Sequence, residues 1–179
     1  MNAEKFKEQI DTNLYSLIKK VDFERVGNSF VREDNTSQLI LLRFNGSKFA
    51  SLNQFTRVTL CFRHKFLRDI WEKFPTSHPR EISSYPFRIK PTELGKIDVG
   101  KWKYNFELNC NEYDEIRYGE SDNVSELLKE IGTLTITNGI RWAETLTPKQ
   151  SLIHLEKNSS GTFVDKMWIE DYQNYLKDR

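Results

Sequence analysis

The chain has 179 residues, 30% of them charged and 37% hydrophobic, with a formal net charge of +1. That length suits a single domain over residues 1–179 with a substantial core, and 12 Phe, 7 Tyr and 4 Trp supply aromatic material for it. The composition excludes a disordered chain, no run approaches the roughly 20 apolar residues of a membrane helix, and the opening MNAEKFKEQI lacks the apolar stretch of a secretory leader, so a cytoplasmic location with no membrane partner is expected.

Phe6, Ile10, Leu14, Leu17, Ile18 and Val21 recur at helical spacing with Lys and Glu between them, which predicts an amphipathic opening helix. The period then changes. Phe23 to Val31 and Gln38 to Phe44, separated by Glu33-Asp34-Asn35-Thr36, read as a β-hairpin. Alternation over Thr56 to Phe62 sets Val58, Leu60 and Phe62 on one side of a third strand and Arg57, Thr59 and Arg63 on the other.

Phe66, Leu67, Ile70, Trp71 and Phe74 have helical spacing, so a short helix is expected from about Lys65 to Lys73, ending before Pro75. Pro75 to Tyr85 reads as a loop, and Phe87 to Lys90 as a short strand between Pro86 and Pro91. Lys101 to Cys110 alternates throughout: Trp102, Tyr104, Phe106, Leu108 and Cys110 share one face of a predicted strand. Cys61 and Cys110 then fall inside strands, as buried free thiols.

Asn123 with Glu126 opens a helix expected to stop near Asn138-Gly139. Thr147-Pro148 with Gln150 opens the next, which Asn158 to Gly161 ends, and a last helix over about Val164 to Leu176 places Val164, Trp168, Tyr172 and Tyr175 on successive turns to dock on the domain. Strands first and helices in the final third predict an α+β class: a mostly antiparallel sheet with helices packed mainly on one face.

Familiar chemistry is missing from this order of elements. The eight glycines form no phosphate loop, no G-x-S-x-G elbow occurs, and His64, His78 and His154 lie apart without ligand spacing, so no catalytic residue, metal or cofactor is expected. Glu112, Asp114, Glu115, Glu120 and Asp122 read as a solvated strand end. His64, between Arg63 and Lys65, is expected to have a depressed pKa from its cationic neighbours.

Charge is uneven along the chain: Gly46 to Lys103 holds 12 Lys and Arg against 5 Asp and Glu, whereas Tyr104 to Arg179 holds 8 against 14. The segments are expected to lie side by side and neutralise one another. The alternative is a binding face of Arg63, His64, Lys65, Arg68, Arg88, Lys90, Lys101 and Lys103, interleaved with Tyr85, Phe87 and Trp102, that holds phosphates and stacks bases.

The segment Phe23-Glu-Arg-Val-Gly-Asn-Ser-Phe30-Val-Arg32, after the opening helix, resembles the "GF-k-k-x-x-x-x-F-x-R" signature of the bacterial family called domain of unknown function 4304. Thr56-Arg-Val-Thr-Leu-Cys-Phe62 is similar to that family's central strand and Trp142-Ala-Glu-Thr-Leu-Thr-Pro-Lys-Gln-Ser-Leu152 to its helical end, so the likeness runs from about Phe6 to Lys157. Asp22 stands where the family has glycine. The resemblance implies a bacterial α+β protein of unassigned activity.

Three functions follow as expectations. Absent catalytic motifs with an uneven charge distribution favour a non-enzymatic module binding a protein partner, an immunity-like protein being one form of it. Nucleic-acid or anionic-ligand binding through the basic strands is the second. An enzyme with a site around His64 and the acidic turn is the third.

Overall fold

The computed structural model describes residues 3–45, 55–68, 82–96, 114–117 and 124–178. Among the described residues six strands form one antiparallel sheet: β1 (Glu24–Val26), β2 (Ser29–Glu33), β3 (Ser37–Asn45), β4 (Phe55–His64), β5 (Phe87–Ile89) and β6 (Asp114–Arg117). β1 to β4 follow one another across the sheet. The far side of β4 is shared end to end, with β6 against its first half (Val58 opposite Asp114) and β5 against its second (Phe62 opposite Phe87).

The opening helix, α1, runs unbroken through Ala3–Gln9, a π-turn over Ile10–Tyr15, Ser16–Ile18 and a 3-10 turn over Lys19–Val21. Phe6, Ile10, Leu14 and Ile18 bury its inner face, as the spacing predicts. Its C-terminus closes with the Asp22 N–H donating to the Lys19 carbonyl and the Phe23 N–H to that of Ile18, a Schellman pattern that drives Asp22 to φ 66°. That left-handed conformation suits glycine, the residue that the resembled family carries there.

The expected two-strand hairpin is three strands. Gly27, at φ 60°, permits a two-residue turn between β1 and β2, so Phe23 to Val31 doubles back within a stretch that alternation alone reads as one strand. The turn at Glu33 to Thr36 is as expected. One Asp34 carboxylate accepts from the Thr36 and Ser37 amides, both at 2.7 Å, and from both hydroxyls, at 3.0 and 2.8 Å. These four donors hold its pKa down at about 2 against the pull of burial.

Residues 65–68 form a turn, so the described part of the helix expected over Lys65 to Lys73 is not helical; the Arg63 side chain donates to the Leu67 carbonyl of that turn at 2.6 Å. A 3-10 turn (Ile82–Ser84) precedes β5, and a single helical turn, α2 (Pro91–Leu94), follows it. The aromatic strand expected at Lys101 to Cys110, with Trp102, and most of the loop before Tyr85 lie outside the described residues.

The helix expected to stop near Asn138-Gly139 continues instead: α3 runs through Val124–Leu134, a π-turn over Thr135–Gly139 and Ile140–Thr145. Gly139 is helical, with φ −66°, and lets the helix approach the sheet: a Cβ there would lie 2.6 Å from Leu60 Cδ2. Close packing, not chain termination, is what this glycine serves. α4 (Pro148–Asn158) starts as expected, with Thr147 accepting from the Gln150 amide and proline at the first helical position. α5 (Phe163–Lys177) opens on a reciprocal cap between Thr162 and Asp165.

Among the described residues the helices cover one face of the sheet. Phe30, Leu39, Leu41, Val58, Leu60, Phe62 and Phe87 form the main core with apolar residues of α1, α3, α4 and α5. The opposite face carries a smaller cluster, Val31, Ile40, Cys61 and Tyr85. Cys61 is buried, and Cys110 lies outside the described residues. The class is α+β with a helical C-terminal part.

Candidate functional site

The basic residues singled out from the sequence that lie among the described residues are held by neighbours. Arg63, 4% exposed, points into the smaller cluster and donates to the Ser84 carbonyl at 3.3 Å and to that of Leu67. A strand's alternation sends the next residue, His64, to the opposite face. Lys65 pairs with Glu33 at 3.3 Å, Arg68 with Glu170 at 2.5 Å and Asp171 at 2.6 Å, and Lys90 with Glu93 at 3.7 Å. Arg88 donates its Nε–H to the Tyr85 carbonyl at 3.0 Å. Lys101 and Lys103 lie outside the described residues.

Arg68 also shows how the uneven charges meet, since it comes from the basic segment and its partners from the acidic one. Two of the five acidic residues read as solvated are interior. Asp114 is 2% exposed and accepts from the Thr92 amide and hydroxyl, both at 2.9 Å, while burial pushes its pKa up. Glu115, also buried, sits in register opposite Arg57. Glu112, Glu120 and Asp122 lie outside the described residues.

His64 is interior too. Its Nδ1 lies 2.8 Å from the Tyr172 hydroxyl, Phe66 stacks on its ring at 5.2 Å between centroids, and Tyr175 stacks on Phe66 at 3.9 Å. The expected depression of its pKa has a different origin. Burial lowers it to about 4, and the charge of Asp34 pulls the other way. Burial likewise pushes the Tyr172 phenol up.

His64 and the described acidic residues, Asp114 and Glu115, do not converge. Asp114 stands opposite Val58, and from there to His64 the strand travels about 20 Å at roughly 3.3 Å per residue. Among the described residues no three His, Cys, Asp or Glu side chains gather as metal ligands, and no helix is long and apolar enough to cross a membrane.

Among the described residues, open space lies away from His64. A cleft of about 510 Å³ separates β5 from the helical end, with Phe87 and Arg88 on one wall and Trp142 and Leu146, from the end of α3, on another. His154 and Leu155 of α4 and Asp165 and Trp168 of α5 complete it. His154 meets the Phe87 ring edge-on at 5.6 Å, and Trp142 meets Phe62 at 6.4 Å, so its aromatic lining is anchored to the core.

Asp165 accepts at one carboxylate oxygen, Oδ2, from the Ser159 and Ser160 hydroxyls and the Ser160 and Thr162 amides, and hydrogen bonds from Ser160 and Thr162 lower its pKa against the pull of burial. The Trp168 Nε1–H is buried and meets no acceptor. A second groove of about 570 Å³ shares Thr145, Leu146, His154 and Asn158 with the cleft and continues past Ile153 and Lys157.

Of the eight residues singled out from the sequence, Arg88 lines this cleft. Trp142 and His154 carried no sequence signal for it, because the cleft is assembled from elements far apart in the chain. A tryptophan on the last, docking helix was the nearest hint. Fold and cleft define an α+β domain with an open aromatic groove; set beside family models, curated proteins and solved structures, the chain matches none of them.

Proposed function

We propose that the chain is a non-enzymatic, cytoplasmic interaction module that grips a protein partner at its helical end. The observation that carries this reading is the cleft between β5 and α3 to α5, with its anchored aromatic lining and two large apolar side chains exposed on the flanking helices, Ile153 at 48% and Phe163 at 79%. An exposed apolar surface beside a groove costs solubility and is what a protein partner would cover. The titratable groups that the structure singles out, Asp34, His64, Asp114 and Asp165, are engaged in turns, caps and interior bonds, which favours binding over catalysis. Membership of the resembled bacterial family is part of the same proposal.

The test is photo-crosslinking. A benzophenone amino acid at Ile153 or Phe163, in cells that express the chain, is expected to yield discrete protein adducts that the same group at exposed Glu130 does not. Equal labelling at all three positions, or adducts with nucleic acid alone, would refute the proposal.

A further inference from the structure

We infer that α5 is an acid-sensitive latch: it undocks from the sheet as a unit of its own, ahead of the rest of the domain, when His64 takes up a proton. The helix is lightly held. Of its 15 residues, Trp168 and Tyr172 are buried, whereas the 11-residue first segment of α3 buries Val124, Leu127, Leu128, Ile131 and Gly132. Elements near a chain end with few buried side chains are the first to open.

What α5 closes over is His64. The imidazole is 4% exposed and enclosed by aromatic rings: Phe62 edge-on at 5.0 Å between centroids, Phe66 stacked at 5.2 Å and Tyr172 edge-on at 5.5 Å. The Tyr172 hydroxyl, 2.8 Å from Nδ1, bonds the neutral ring. A proton would place a charge inside that enclosure, and the acids around it among the described residues are engaged elsewhere. Asp34, in the turn between β2 and β3, is the one whose charge acts on the ring, and it already accepts four hydrogen bonds from that turn. Asp171, next to Tyr172 on α5, is held by Arg68, as is Glu170. The cations flanking His64 on its own strand offer it nothing: Lys65 pairs with Glu33, and Arg63 points to the other face of the sheet. A desolvated charge without a counter-charge is costly, and undocking relieves it by letting water reach the ring.

The open form therefore accepts a proton that the docked form resists. With burial holding the docked pKa at about 4 against the ordinary 6.5, docking is fully favoured above pH 6.5 and progressively less so as pH falls toward 4. The ratio of undocked to docked helix rises about twentyfold between pH 7 and pH 5 on these values. As it leaves, α5 carries Asp165 and Trp168 out of the cleft, so acid dismantles that surface as well.

Amide hydrogen exchange of the full chain at pH 7 and pH 5, with each rate divided by that of an unstructured peptide at the same pH, reads the opening directly. The amides of Trp168 to Tyr175 are expected to open more often than those of Leu39 to Leu41 in β3 at both pH values, and about twentyfold more often at pH 5 than at pH 7. In His64→Gln that rise should disappear. His64→Phe, which fills the same aromatic enclosure and does not titrate, gives the same comparison should the glutamine variant fail to fold. An α5 that opens no more often than β3, an opening that does not change with pH, or a full rise that survives in the variants would each overturn the inference.

Discussion

Lowering the pH should weaken the domain through one side chain, His64. Its pKa is about 4 in the folded protein against the ordinary 6.5, so the folded state resists a proton that the unfolded chain accepts. Stability from this source is fully present above pH 6.5 and is lost as pH falls toward 4. The whole shift corresponds to about 3 kcal/mol at 1.36 kcal/mol per pH unit, and the part lost between pH 7 and pH 5 is about 2 kcal/mol.

Chemical denaturation of the wild type and of His64→Gln at the two pH values measures it. Glutamine keeps a polar group near Tyr172 and does not titrate. The variant starts less stable at pH 7 and should lose about 2 kcal/mol less on going to pH 5. Asp34 titrates well below this window, and the raised Asp114 carboxyl affects both proteins alike, so both cancel in the difference. Equal losses in the two proteins, or a His64 imidazole that NMR finds titrating near 6.5, would refute the buried, neutral histidine.

Asp22→Gly should raise stability by about 0.5–1 kcal/mol in the same assay, because it relieves a left-handed residue at the end of α1; a loss would show that the aspartate serves the cap in some other way. Gly139→Ala should cost about 1–2 kcal/mol, since Leu60, fully buried, has little room to yield to the added methyl and the gain in helix propensity offsets only part of that clash. Asp34→Ala should cost about 1 kcal/mol at pH 7, the figure its pKa shift implies being discounted for solvent screening, and the variant should lose less stability than the wild type as pH falls from 3.8 toward 2.

The amino-acid sequence by itself determined what depends on near neighbours. Phe6 to Ile18 mark one face of a helix at 3.6-residue spacing, the alternation around Leu60 marks a strand with two different faces, and Thr147-Pro148 marks a helix start; each needs only residues within a few positions. From these the α+β class followed. One error was a local ambiguity resolved at a distance: Gly139 looks like a helix end until Leu60 is seen beside it.

Tertiary structure alone decided the site. His64 bonds Tyr172 across 108 positions of chain, and Arg68 meets Asp171 across 103. The same folding turned a run of basic residues into paired or interior groups and brought Arg88, Trp142, His154 and Trp168 to one cleft. No periodicity encodes such meetings, because they depend on how the sheet and helices stack and not on the order in which the residues are joined.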